Sequence, residues 1–275
     1  MKSIRWLCFA GLIGVLPMDA IALTDAEYVR IFQLIQSGDA SATQVIDGLP
    51  EDDADRYALR ALRDAKILPR ETIVSECERH VAMVNANGRP VRLTCALRLV
   101  LQYAKDKNFE ATARMAHIAL TAKSPQSVTN ADLRTHLEGI LILARGMLLH
   151  SGVVQGQVVT FREIALFGKE LLGKEVAIRY ATFNDFSNIW ISELPDVHIA
   201  SNGLVTRYDA TAAEQYAELN VTDSQGQHGQ VFVYKNPLKP ALLDIKRGAK
   251  ISCVGRVVQL ADGDRRAVIC EGFAY

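Results

Sequence analysis

Five cysteines, six histidines, an acidic run and an aromatic pair at i, i+2 are the residues of this 275-residue chain best suited to chemistry. Cys77, Cys95, Cys253 and Cys270 suit disulfides in an oxidising compartment, and four cysteines allow three pairings. As metal ligands, Cys77-x-x-His80 with Cys95 and His117 lack the second close pair that a structural zinc site uses. The histidines at 80, 117, 136, 150, 198 and 228 are scattered. On one helix, His136 and His150 would stand about 21 Å apart at 1.5 Å per residue, too far to share an ion. Glu51, Asp52, Asp53 and Asp55 stand at a helix start, where negative charge suits the dipole, and serving as a catalytic pair would require a cleft. No Gly-x-Ser-x-Gly elbow, P-loop, His-Glu-x-x-His or Gly-x-Gly-x-x-Gly is present. No metal or cofactor is expected, and catalysis remains only as a hydrolase with an unrecognised site.

The elements that must position these residues change character along the chain. Residues 1–22 read as an export signal: Lys2 and Arg5, an apolar run from Trp6 to Leu16, the breaker Pro17, and Ala20-Ile21-Ala22 before a cut at Leu23. Eleven residues of helix reach about 16 Å, short of a hydrocarbon core of about 30 Å, so the reading is cleavage rather than anchoring. Cys8 leaves with the signal, and the mature chain, expected to be periplasmic or secreted, carries no transmembrane segment. From Thr24 to His150 the periodicity is helical, with a capping box at Thr24-x-x-Glu27 and a stop at Gly38. Further helices are expected over 51–66, 70–86, 92–106, 109–122 and 131–149, as an all-α bundle or hairpin array. Cys77 lies on the stripe Ile73, Cys77, Val81, Val84, and Cys95 opens the next helix, so the two can meet across a helical hairpin.

Residues 151–173 read as a connector and a linking helix, capped at Thr160-x-x-Glu163. Beyond it the period becomes two, with strands expected over 174–183, 215–222, 230–235, 249–260 and 266–273 and a short helix over 240–246. The run Leu242 to Val257, in which a helix leads through Gly248 into a strand broken by Gly255, resembles the corresponding segment of OB-folds. The ending Val268-Ile269-Cys270-Glu271 is similar to the last strand of exported OB domains called tRNA-anticodon-binding-like. The resemblance covers residues 174–275 and implies a five-stranded OB-like β-barrel. About thirty residues, Asp185 to Glu214 with Trp190 and Pro195, depart from it between the first two strands. The matching positions carry no catalytic or base-reading motif. The fold class expected is therefore α+β in two domains, helical over 23–150 and barrel over 174–275. Cys253 and Cys270 flank the turn Ala261-Asp262-Gly263-Asp264 symmetrically, which would set them opposite each other for a disulfide.

Pairing the second and third strands about Gly226 sets Val221 opposite Val231 and Leu219 opposite Val233, with Ala217 also facing inward. Tyr216, Asn220, Phe232 and Tyr234 then face outward, on the side that OB-folds use for ligands. A register slipped by one would turn the aromatics into the core. Between Lys235 and Arg266 eight basic residues, including Lys235, Arg256, Arg265 and Arg266, face three acidic ones. The whole chain carries 31 basic and 31 acidic residues, which excludes a generally polybasic binder. The reading is a non-catalytic binding protein of the cell envelope that holds a protein partner through the barrel face or the helical groove. The alternative is single-stranded nucleic acid or an anionic glycan along Phe232, Tyr234 and the basic strip.

Overall fold

The computed structural model describes residues 23–122, 128–153, 156–186, 216–259 and 266–275. The chain divides into two compact units, residues 1–90 and 91–275. The first holds α1 (Asp25–Ser37), α2 (Ser41–Asp47), α3 (Ala54–Arg63) and α4 (Arg70–Ala86). The capping box forms as its spacing predicts, and Gly38 closes α1 at a φ of 73°. Tyr28 and Ile31 of α1, Ile46 of α2, Leu59 of α3, and Ile73 and Val84 of α4 make the buried core. The fully buried His80 sets Nδ1 2.9 Å from the Ala54 carbonyl, tying α4 to the start of α3. Sequence periodicity leaves α2 unread, for it spans seven residues and has no side-chain cap.

The second unit runs α5 (Leu93–Lys105), α6 (Phe109–Thr121), α7 (Ala131–His150), β1 (Gln157–Val158), α8 (Phe161–Leu171), β2 (Glu175–Phe186), β3 (Tyr216–Thr222), β4 (His228–Tyr234), α9 (Lys235–Asp244), β5 (Lys250–Gln259) and β6 (Arg266–Ala274). The class is α+β, with helices mostly ahead of a six-stranded mixed sheet. The pairings run β2–β3–β4–β6–β5 and return from β5 to β2, while β1 adds in parallel to β2. The β4–β6 pair is parallel, and the other pairings among β2 to β6 are antiparallel. Val176, Ile178, Leu219, Val221, Val231, Val233, Ile251, Val257, Val268 and Phe273 fill the interior.

The unit boundary falls at Pro90, whereas helical periodicity alone places it near residue 150. The reason is α7, which packs directly on β6. A Cβ placed on Gly146 would lie 2.1 Å from the Phe273 carbonyl carbon, and one on Gly272 would lie 2.7 Å from the Arg145 Cβ. Here a helix and a strand touch backbone to backbone, an approach only glycine allows. Ile142 of α7 joins the sheet interior, and Leu149 packs with Ala177 and Val254 on the opposite face of the sheet.

Cys253 and Cys270 form a disulfide with a Cα–Cα distance of 5.5 Å. The bond is as expected but the register is not. Cys253 sits opposite Phe273 and Cys270 opposite Gly255, with a bulge between Val254 and Gly255. A Cβ at Gly255 would lie 1.8 Å from the Ile269 carbonyl oxygen, so the strands close tightly there and the two cysteines meet on the diagonal. Cys77 and Cys95 are also disulfide-bonded and fully buried. Among the described residues no helix is long and apolar enough to cross a membrane.

Candidate functional site

The β3–β4 hairpin determines which side chains reach the surface. Leu219 pairs with Val231 and Ala217 with Val233, two positions away from the pairing expected about Gly226. An even slip keeps every side chain on its face, so Leu219, Val221, Val231 and Val233 still point inward. Asp223 sets the slip. Its Oδ1 accepts from the backbone N–H groups of Gln225 and Gln227, at 2.9 Å each, and closes a five-residue loop from 223 to 227.

The other oxygen of Asp223 reaches α8. Oδ2 accepts from the Phe161 backbone N–H at 2.9 Å, a helix-terminal donor, while the Thr160–Glu163 capping box satisfies others. The Phe161 ring then lies on the β4 backbone, where a Cβ on Gly229 would come within 2.1 Å of it. One buried carboxylate therefore holds both the hairpin and the helix. Replacing Asp223 with Ala is expected to lower stability by at least about 2 kcal/mol, since hydrogen bonds to a charged group contribute about 1.5–3 kcal/mol each. Urea denaturation of the variant checks this, and an unchanged midpoint refutes it.

Between α8 and the hairpin lies a cleft of 460 Å³, lined by Phe161, Ile164 and Ala165 from α8, Asn220 and Val221 from β3, His228, Gly229 and Gln230 from β4, and Arg266 from β6. Its floor is apolar and its rim carries amide, imidazole and guanidinium groups. Asn220 donates to the Asp185 Oδ1 at 2.8 Å, and His228 Nδ1 lies 3.0 Å from the Thr222 hydroxyl. The Arg266 side chain lies under α8, where a Cβ on Gly168 would come within 2.0 Å of its Cδ, and its Nη1 donates to the Ala165 carbonyl at 3.4 Å. Among the described residues the β4–β6 ladder covers Val231 and Phe232. Ahead of it, the backbone of His228 to Gln230 borders the cleft.

Of the eight residues expected to bind, Asn220 and Arg266 come together here, and Tyr216, Phe232, Tyr234, Lys235 and Arg256 do not line the cleft. Phe232 faces away from the interior, but it is only 8% exposed, packed with Val258, Ala267 and Ile269. The outer face of β4 to β6 is a second small core, so Phe232 is not a presented stacking platform. Tyr216 and Tyr234 are cross-strand partners with ring centroids 4.7 Å apart, both half-buried. Lys235 is exposed at the first residue of α9. Arg256 donates to Glu271 at 2.9 Å; Glu271 is also bound by Arg145, which in turn binds Glu175, giving two cations and two anions. That network neutralises Arg256 within the basic strip. Arg265 lies outside the described residues, as do the turn 261–264 and most of the insertion after β2, including Trp190 and Pro195.

No protein-family model and no characterised protein matches this chain. The site is therefore read from its own geometry. Among the described residues no group of three His, Cys, Asp or Glu side chains could hold a metal ion. Of the histidines, His80 is buried on a carbonyl. His150 sets Nδ1 3.3 Å from the Ser252 hydroxyl, which is fully buried and accepts from the Tyr180 N–H, so that contact braces a bulge in β2. His228 is the histidine that lines the cleft. Sequence reasoning missed Phe161, Ile164 and His228. The available signal was the capping box at Thr160, which places the apolar face of α8 beside whatever Phe161 touches.

Proposed function

We propose that this protein is an exported, non-catalytic binding protein of the cell envelope and that it holds an extended segment of a protein partner in the cleft between α8 and β4. In this reading β2 to β6 form an OB-like barrel, because five strands pair in a closed cycle with a parallel third–fifth contact and a helix between the third and fourth strands. The observation that carries the proposal is the strand edge. Among the described residues His228 to Gln230 lie ahead of the β4–β6 ladder and border the cleft, beside an apolar floor and a polar rim. An extended peptide gains main-chain hydrogen bonds at such an edge and selectivity from the adjoining pocket. The nucleic-acid and glycan readings lose support, since Phe232 is covered and Arg256 is ion-paired.

The test is site-specific photocrosslinking from position 230 in intact cells. A discrete polypeptide adduct that persists in high salt and disappears in an Arg266→Glu variant is the expected result. Adducts removed by nuclease or by glycan digestion, or no polypeptide adduct at all, overturn it.

A further inference from the structure

In the first unit, Asp53 caps α3, with Oδ1 accepting from the Asp55 N–H at 2.9 Å. The side chain is 3% exposed, yet Oδ2 has no hydrogen-bond partner within 3.5 Å. Arg89 Nη1 approaches Oδ1 at 3.9 Å, while its Nη2 is committed to Asp55 Oδ2 at 3.1 Å. Burial raises the Asp53 carboxyl above its ordinary value and nearby Asp55 adds to this; the Asp55 N–H, Arg89 and the Leu23 backbone N–H oppose it. A buried carboxylate oxygen without a donor costs free energy comparable to a lost hydrogen bond. The Asp53 carboxyl also accepts from the backbone N–H of Leu23, one residue ahead of the Thr24 cap of α1, and α1 packs on α3.

Leu23 is also the residue that export cleavage after Ala20-Ile21-Ala22 would make the first. Resting on the export reading, we infer that removal of the leader turns this neutral donor into a charged one: the new Leu23 α-ammonium pairs with Asp53, reaches its unpartnered oxygen and locks α1 onto α3. Hydrolysis breaks the Ala22–Leu23 bond, water giving its hydroxyl to the Ala22 carbonyl and a hydrogen to the Leu23 nitrogen. The amine, with an ordinary pKa near 7.7–8.0, takes a further proton and is held in that form by the carboxylate. An amide N–H offers one neutral donor, whereas an ammonium offers three donors and a charge. The precursor is thereby less stable than the mature chain, which keeps it unlocked until its leader is gone.

The experiment compares full-length mature chains released from a fusion so that they begin at Leu23 or at Ala22, each with Asp53 intact or as Asp53→Asn, together with the Leu23 chain acetylated at its α-amine. The Leu23 chain should melt at least about 4 °C above both the Ala22 chain and the acetylated chain, a shift expected for a change of 1–2 kcal/mol in a protein of this size. Asp53→Asn should erase the difference. If that variant does not fold, the acetylated chain carries the comparison alone. Equal melting of the Leu23, Ala22 and acetylated chains overturns the inference. N-terminal sequencing of exported protein separates the two layers. A first residue other than Leu23 removes the export cut on which the inference rests, whereas Leu23 with no melting difference removes the lock itself.

Discussion

Gly146→Val should destabilise the second unit by about 3 kcal/mol or more, one of the two largest effects expected in this chain. The added Cβ would lie 2.1, 2.2 and 2.5 Å from the carbonyl carbon, oxygen and nitrogen of Phe273. These are backbone atoms of β6, so no rotamer change relieves the clash. Moving α7 away opens the facing Gly272 contact and uncovers Ile142, Leu149 and Phe273, which are 6%, 0% and 0% exposed. Overpacking alone costs about 1–3 kcal/mol, and the lost burial adds to it. At about 2–4 °C per kcal/mol for a chain of this size, circular dichroism should show a melting point lower by about 6–12 °C. A variant melting with the parent would mean that α7 does not bear on β6.

Second in size is the Cys253–Cys270 cross-link. Replacing both cysteines with Ala should cost about 3 kcal/mol, because the disulfide closes a loop with a sequence separation of 17 and so restricts the unfolded chain. Both residues are fully buried inside the sheet. Reductant should therefore reach them only when the sheet opens, and thiol labelling of native protein in mild reductant should find this pair silent. The measurement is the denaturation midpoint of the double variant against the parent. A midpoint unchanged within error, or rapid labelling of the folded protein, contradicts the argument.

Helix positions were legible because their caps and stripes are local. Thr24-x-x-Glu27, Thr160-x-x-Glu163 and the stripe through Ile73, Cys77, Val81 and Val84 each state their own register. The faces of β3 and β4 were legible too, since alternation survives an even slip. The α9 start was not: Pro240 suggests a first helical turn, but the helix begins at Lys235 and carries that proline inside it. The pairing offsets were hidden because they depend on how Asp223 folds its loop and on a bulge beside Gly255. The cover over Phe232 was hidden because it comes from β5 and β6, which only the parallel β4–β6 pairing brings alongside. A trace of it was present in β5 and β6, whose Val254, Val257, Val258, Ala267, Val268 and Ile269 put apolar side chains on both faces, the pattern of strands buried on both sides. The cleft was half legible. Asn220 and Arg266 were named, but for a flat aromatic face rather than for a groove under α8.

The position of β6 bears on how the molecule is made. It occupies the slot between β4 and β5, yet it is the last sheet strand to leave the ribosome. Synthesis proceeds N-terminus first at about 5–20 residues per second, so β2 to β5 exist for a time with that slot empty. During this interval β4 and β5 present open hydrogen-bonding edges, and Cys253 has no Cys270 to meet. A nascent chain interrupted before Arg266 is thus left with two sticky edges and a lone thiol, and its fate turns on chaperones and proteases rather than on a shortened version of the native fold.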